Sequence, residues 1–467
     1  MKTKLVSRSM VIAGGYLLAT WCHSVEAQVM RNNICWGQGS IAVWGIKGTG
    51  GNPNLINPAK IPKFSDVVKI SGGYQHYLCM TSMRTGAAWG SGGKVVSGRN
   101  VDDGRANWPA GVSSGVTDIS AGYDDSLLTR GSGDLASWGA NDYGQTTPPP
   151  NLGLSQNVLA VAAGRTHGLA ITKSGKVVAW GSNNTTNEAS LVPARVTGAT
   201  AIAAGDNLSM ALLTNGTVVV WGGDAGTGIT NVPPACTNIV AISAGSRHCL
   251  ALNEDGRVFA WGANDKGQIN VPSKAATNIV AIACGWKHSL AVTLDYNIVG
   301  WGDNSKGQLD VPTTSTWFGG SIAGSTWGIA ATCETSAAIC GGNPPLPDFY
   351  VDSIALSTQV LHYKEPFTAT ITVGNIGTWA GSAGELHFWI NWQDAQGASA
   401  GRPADYVVNI GFLMPGKKKT IVLPNLVYEY LRVDLGITCR AVIDARNRTA
   451  ESNERNNDKA VNLPMSP

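Results

Sequence analysis

A Trp-Gly pair closing a short apolar run recurs at Trp44, Trp89, Trp138, Trp180, Trp221, Trp261 and Trp301, with spacings of 45, 49, 42, 41, 40 and 40 residues. A second mark, a small residue and then glycine, recurs at Gly73, Gly122, Gly164, Gly205, Gly245, Gly285 and Gly324. The first Trp-Gly has no Ala-Gly before it, and the last Ala-Gly has no Trp-Gly after it. A period of about 40 to 50 residues built from short alternating apolar runs predicts a β-propeller, whose blades cannot bury both faces alone and so stack in a closed ring. In the unit 158–181, VLAVAAG reads as an inner strand, HGLAIT as a second and KVVAWG as a third. Ser174-Gly175, Asn215-Gly216 and Asp255-Gly256 suit a two-residue hairpin between the second and third strands. The offset predicts seven blades, the last one split. In that blade SIAVWG (40–45) pairs with TWGIAAT (326–332) as a clasp.

Residues 1–27 open with Lys2, Lys4 and Arg8, continue with MVIAGGYLLATW and end on Val25-Glu26-Ala27. This is the pattern of a cleaved secretory signal peptide, and the apolar run is short for a bilayer span. Cleavage removes three basic residues and one acid, taking the formal charge from +3 to +1. With no basic stripe, nucleic acid is excluded as the expected partner. The chain has 58 glycines, 16 tryptophans and only 14% charged residues, which agrees with an extracellular β-protein. The expected organisation is a propeller over 28–333, a Gly/Pro-rich linker over 334–346 and a second domain over 347–467.

Eight cysteines follow the signal segment. Cys79, Cys249 and Cys284 stand where other repeats carry Ala or Ser and read as small core fillers. Cys35, Cys333 and Cys340 lie off the repeat frame beside the proposed clasp. A disulfide from Cys35 to Cys333 or Cys340 would close nearly the whole ring and stabilise it by ~4 kcal/mol on chain entropy, and a local Cys333 to Cys340 loop competes with it.

His76, His167, His248 and His288 share one repeat position, the third after the framework glycine. Other units place Asp125, Leu208 and Trp327 there, so a structural role is expected and no metal or cofactor. Asp124 and Asp125 read as solvated turn acids, because adjacent carboxylates do not span a scissile bond. No nucleophile elbow, zinc-protease motif or phosphate loop is present, and the chain reads as a non-enzyme. The positions directly after the framework glycine vary in chemistry: Tyr74, Tyr123, Arg165, Asp206, Ser246, Trp286 and Ser325. Next come Gln75, Asp124, Thr166, Asn207, Arg247, Lys287 and Thr326. A turn constant in frame and varied in side chain is either drifting surface or a recognition rim. As a rim, it offers Tyr74, Gln75, Tyr123, Asp124, Arg165, Asp206, Arg247, Trp286 and Lys287 as ligand contacts.

The recurring Ala-Gly turn, His, Trp-Gly and loops GANDYGQ (139–145), GANDKGQINVP (262–272) and GDNSKGQLDVP (302–312) resemble the regulator-of-chromosome-condensation repeat. The short, Val-Pro-ended form is similar to that of the secreted seven-bladed β-lactamase-inhibitor proteins. The resemblance implies a seven-bladed ring that grips a partner with one face. After Asp348, seven alternating runs predict an immunoglobulin-like β-sandwich. PDFYV (347–351), GNIGTWA (374–380) and VIDARNRTAESNERNND (442–458) resemble the bacterial cell-adhesion-related domain. The oxygen-rich ending fits a polar hairpin or a calcium loop.

The fold class expected is all-β: a seven-bladed propeller with a split closing blade, followed by the sandwich. The function expected is a secreted, monomeric binding or adhesion protein, with an extracellular protein or cell-surface ligand on the rim. An inhibitor of an extracellular enzyme and an extracellular hydrolase are the alternatives.

Overall fold

The structure is a computed structural model. It describes residues 34–45, 60–64, 66–91, 93–96, 99–150, 152, 158–182, 189–223, 225–312, 326–332, 335–340, 348–358, 365–375, 381–382, 385–390, 405–410, 412–413, 417–427, 437–443 and 458–463. Six antiparallel three-strand blades follow in order. The first is Val67–Gly72, His76–Thr81 and Gly86–Gly90. The second is Val116–Ala121, Asp125–Arg130 and Leu135–Gly139. The third is Val158–Ala163, His167–Thr172 and Val177–Gly181. The fourth to sixth repeat the pattern, with inner strands Ala199–Ala204, Ile239–Ala244 and Ile279–Cys284. Helix is confined, among the described residues, to short turns such as Ala225–Thr227 and Ser273–Ala275. No helix there is long and apolar enough to cross a membrane.

The inner strands are rich in Ala, Ser and Gly because they converge on a common axis, where larger side chains would collide. Each of the six carries a register shift near its start, for example between Val158 and Ala160, which gives the strand extra twist. The apolar residues do not collect inside blades but between them. Seven buried clusters lie one at each seam, such as Leu208, Met210, Ile239 and Cys249 between the fourth and fifth blades. The hairpins differ from the two-residue turn expected. Gly175 and Gly216 have φ of 74° and 77°, whereas Ser174 and Asn215 are not left-handed. The Gly175 N–H bonds Thr172 O at 2.8 Å and the Thr172 N–H bonds Lys176 O at 3.0 Å, so this is a three-residue loop with a glycine bulge.

The seventh blade is split, as the offset predicts, but its frame differs. Ser40–Gly45 pairs with Thr335–Cys340, from Ser40 opposite Cys340 to Gly45 opposite Thr335, and Thr326–Ala331 is the inner strand beyond it. The clasp partner is therefore 335–340 and not 326–332. The propeller runs past residue 333 into a stretch whose composition reads as linker. The difference has a physical source: the framework glycine of this blade is not Gly324 but Thr332. The Thr332 N–H bonds Thr335 O at 2.9 Å, as the six glycines bond the third residue after them, and its Oγ1 accepts the Thr335 N–H at 3.1 Å. A hydroxyl turn has replaced the glycine turn. Ser325 and Trp327 thus fall outside the turn frame, and Thr326 belongs to the inner strand. The same N-terminal strand, Ile34–Gly45, also pairs with Val67–Gly72 of the first blade and so straps both sides of the closure. Cys333 lies outside the described residues. Cys35 and Cys340 are placed only as backbone positions, so their pairing is not described. Residues 1–27 and the ending 444–457 are also outside.

The C-terminal part is a β-sandwich. One sheet has the order Phe349–Leu356, Pro366–Asn375, Lys418–Val427, and the other Tyr406–Asn409, Glu385–Trp389, Ile437–Ile443, Asp458–Leu463. Alternation puts Phe367, Ala369, Ile371 and Val373 of one sheet against Leu386, Phe388, Cys439 and Ala441 of the other.

Candidate binding face at the mouth of the ring

The four repeat-position histidines are seam residues. Each Nε2 meets a serine hydroxyl of the following blade: His76 to Ser126 at 2.8 Å, His167 to Ser209 at 2.9 Å, His248 to Ser289 and His288 to Ser336 at 3.0 Å. Each serine donates onward to a loop carbonyl, that of Arg105, Ala189, Gln268 or Gln308. The framework tryptophan of that blade gives its indole N–H to the same carbonyl: Trp138, Trp221, Trp301 and, from the N-terminal strand, Trp44. Since the serine proton is spent on the carbonyl, the hydroxyl accepts from Nε2–H, and the buried Nδ1, which has no acceptor to give a second proton to, leaves the imidazole neutral. Burial pushes His76 and His248 down to about 3 and His167 and His288 down to about 4, with the Arg105 charge adding to the effect at His76 and His288 adding to it at His248. A Cβ on Gly73, Gly164, Gly245 or Gly285 would meet the imidazole of its own turn at 2.6 Å or less, so glycine is needed for the ring to lie flat there.

The other three seams are matched differently. Leu208 meets Cys249 within one apolar cluster. Thr335 Oγ1 meets Tyr77 OH at 2.8 Å across the closure. Asp125 is followed in the next unit by Gly168 where the histidine units are followed by Ser, and it is fully buried, with both carboxyl oxygens unpartnered, so it is not the solvated turn acid expected. Burial first, then Asp124, pushes its carboxyl well above the usual range. Buried free thiols complete the framework: Cys79 is pushed up to about 12 by burial, as is the partly exposed Cys284 in the channel wall.

The variable residues after the glycines gather at one mouth of the central channel. The Tyr74, Tyr123 and Arg165 N–H groups bond the carbonyls of Gly122, Gly164 and Gly205 at 3.0, 3.0 and 3.2 Å, and Trp286 N–H reaches Thr332 O at 3.3 Å. These bonds step from blade to blade and fix the turns around the axis. Tyr74 stacks on Tyr123 at 4.0 Å between centroids, and Trp286 stands edge-on to them at 5.0 and 6.5 Å. Arg165 lies 4.7 Å over the Tyr123 ring, and Asp206 Oδ2 accepts from Ser246 Oγ at 2.7 Å. Together they line a recess of about 80 Å³.

The sequence-selected residues divide accordingly. Tyr74, Tyr123, Arg165, Asp206 and Trp286 come together at the mouth. Gln75, Arg247 and Lys287 stand one residue further on, where their carbonyls accept the N–H that starts each outer loop, at 2.8 to 2.9 Å. Lys287 Nζ pairs with Asp265 at 2.6 Å. Asp124 is committed elsewhere: it pairs with the buried Arg105, which also binds Asp103 through its Nε at 2.8 Å. Sequence reasoning missed Arg105, which sits in an aperiodic insertion with no repeat signal. The Gly-Gln loops are framework. The Gln268 and Gln308 side chains accept the Lys266 and Lys306 N–H groups at 2.8 Å, and the backbone carbonyls of the same residues accept the Ser289 and Ser336 hydroxyls in the seams. Below the mouth, Lys69 and Asp118 pair inside the channel, and Asp118 also accepts the Val161 N–H at 2.9 Å.

Family models match two parts of the chain. The regulator of chromosome condensation (RCC1) repeat matches residues 158–185, 239–268 and 279–308 in one form and 255–292 in another, and the CARDB model matches 346–461. No curated protein matches the chain in sequence. Among solved structures, Prp20p from Saccharomyces cerevisiae, described with its binding to Gsp1p and histones, superposes with a TM-score of 0.50 at 19% identity, over 68% of this chain and 95% of its own. Yeast RCC1 (Prp20) bound to Kap60 gives 0.50 at 17% identity, over 73% and 96%. The CARDB domain of PF1109 from Pyrococcus furiosus, solved with di-metal ions, gives 0.21 at 17% identity, over 26% of this chain and 90% of its own. At these identities the likeness to the two yeast structures is one of fold. The chain carries RCC1 repeats in its N-terminal part, within an all-β propeller, and a CARDB domain over residues 346–461.

Proposed function

We propose that the protein is a secreted, non-enzymatic binding or adhesion protein that recognises an extracellular protein or cell-surface ligand with the channel-mouth face of its propeller. The observation that carries this reading is the division of labour in the turns. Framework residues are buried in matched seams, while Tyr74, Tyr123, Arg165, Asp206, Arg247 and Trp286 keep accessible surface on one face. Aromatic and arginine side chains dominate interface energetics because they bury much area at little entropic loss. Propellers of this repeat type are known as binding proteins, Prp20p with Gsp1p and histones among them. The non-enzymatic reading rests on the histidines, held neutral and shielded in seams, and on thiols pushed far from reactivity. Secretion rests on the basic and apolar opening of the sequence.

Two measurements test this. The protein recovered from culture fluid should begin at residue 28, and an N-terminus that keeps the first 27 residues would overturn secretion. Binding of the full chain to intact cells should fall roughly thirtyfold for Trp286→Ala, as expected for loss of ~2 kcal/mol from an anchor, with the melting temperature unchanged. Met83→Asp, on an exposed hairpin at the far end of the first blade, should bind like the parent. Equal binding by all three proteins would place recognition elsewhere.

A further inference from the structure

We infer that the channel mouth binds the terminal residue of a neutral saccharide, held by two neighbouring hydroxyls between Arg165 and Asp206 and packed on Trp286 beside the stacked Tyr74–Tyr123 pair; this rests on the reading of that face as the recognition surface. Arg165 and Asp206 occupy consecutive turns, close enough that the Arg165 N–H reaches the Gly205 and Asp206 carbonyls at 3.2 and 3.3 Å. Opposite charges so placed ordinarily pair. Here each is held by a third group: the guanidinium lies over Tyr123, and the carboxylate accepts from Ser246. Among the described residues no ion pair joins them. The wall therefore offers a fork of donors beside an acceptor-only group, each with capacity to spare.

The mixed signs decide the ligand class. A phosphate or carboxylate drawn to Arg165 would meet Asp206, and an ammonium drawn to Asp206 would meet Arg165. A vicinal diol meets neither conflict, because each hydroxyl gives a proton to the carboxylate and takes one from the guanidinium. Tyr123 has one face covered by Tyr74 and the other by Arg165, so it is Trp286, edge-on to that pair, that meets the C–H face of a pyranose, apolar while its edge is polar. Size sets how the sugar enters. The recess, about 80 Å³, is about half the ~150 Å³ that holds a benzene ring. It admits the diol edge of a terminal residue and leaves the rest of the glycan outside.

The test uses the full chain and a panel of methyl pyranosides of glucose, galactose, mannose and N-acetylglucosamine, followed by calorimetry and tryptophan fluorescence. At least one glycoside should saturate. Its affinity should drop tenfold or more in Arg165→Ala, Asp206→Ala and Trp286→Ala and stay unchanged in Met83→Asp. An immobilised glycan bearing the same terminal residue should lose binding after periodate cleavage of its vicinal diols. If no glycoside in the panel saturates, or if periodate leaves binding intact, the inference is wrong. If the Trp286→Ala variant still loses binding to intact cells while no glycoside binds, the face recognises something else and the saccharide alone is refuted. If glycosides bind and all three mouth variants bind them like the parent, the face assignment falls as well.

Discussion

Acid should unfold the propeller over a narrow range, and the four seam histidines set that range. Their ordinary value is 6.5, and in the folded ring they sit at about 3 or 4. Above pH 6.5 they are neutral in both states and contribute no pH dependence. As pH falls below 6.5 the unfolded chain takes up protons that the folded ring refuses, so stability is lost progressively down to the folded values. A tenfold difference in proton affinity between the two states is worth about 1.4 kcal/mol, which makes each histidine a loss of roughly 3 to 5 kcal/mol by the bottom of the window. Asp125 works in the opposite direction. Its folded carboxyl is held above the ordinary 3.8, so between those values unfolding releases one proton and stability rises as pH falls. Four protons taken up outweigh one released. Between about pH 5.5 and 4.5 the net uptake of about three to four protons removes roughly 4 to 5 kcal/mol for each step of one in pH.

A typical domain has only about 5 to 15 kcal/mol to lose, so the acid midpoint should fall at about pH 4 to 5. Urea titrations by circular dichroism at closely spaced pH values, with calorimetry for proton uptake, measure this directly. The variant that isolates the cause copies a pair the protein already contains: His167→Leu with Ser209→Cys reproduces Leu208 against Cys249. It should fold and take up about one proton fewer. A parent whose stability is flat from about pH 7 to about 4.5, or a double variant with the parent's slope, would refute the reasoning.

Closure by the N-terminal strand predicts that Trp44→Phe, which removes the indole N–H to Gln308 O at 3.0 Å, costs about 1 kcal/mol. Trp44→Ala should cost about 3 to 5 kcal/mol and expose the first strand to protease, read by urea midpoint and by sequencing the cleaved ends. A parental midpoint would sink the clasp. Arg105→Met leaves Asp103 and Asp124 without their buried cation and should lower stability by about 3 to 5 kcal/mol. Adding Asp103→Asn and Asp124→Asn should restore most of that loss in a thermal melt, and failure to recover would mean that Arg105 matters for its packing and not for its charge.

Much of the ring was readable from spacing alone. Seven Trp-Gly pairs offset against the Ala-Gly series point to seven blades with one split, because a ring of identical sheets must begin and end within a blade to be clasped. The seam chemistry was also present in the letters. His76, His167 and His248 are each followed by a unit with Ser beside the equivalent position, Leu208 is followed by Cys249, and His288 finds Ser336 once the last unit is framed on Thr332. That signal appears only when one residue is compared with the next repeat and not with its own. The frame of the last blade was hidden because Thr332 performs by hydroxyl what the other turns do by glycine, and a chance Ala-Gly at 323–324 supplied a false match. Asp125 looked solvated because it was read with Asp124 as a turn acid, although it shares the repeat position of the seam histidines and enters a seam as they do. The gathering of Tyr74, Tyr123 and Trp286 depends on which units close next to each other, and the ring brings residues more than 200 positions apart within 5 Å.

The matched seams also bear on how such a ring can gain or lose a unit. A repeat is inherited with half of one lock at its leading edge and half of another at its trailing edge, so excision is tolerated only where the two exposed halves fit. Removing the sixth unit would bring His248 against Ser336, a pair chemically identical to the one lost, whereas removing the fourth would set His167 against Cys249 and leave an imidazole N–H facing a weak acceptor. The odd seams, at Asp125, at Leu208 with Cys249 and at Thr335 with Tyr77, thus act as keys that mark where in the circle each unit belongs, and the sixth unit, with a histidine seam on both sides, is the place where the number of blades is free to drift by one.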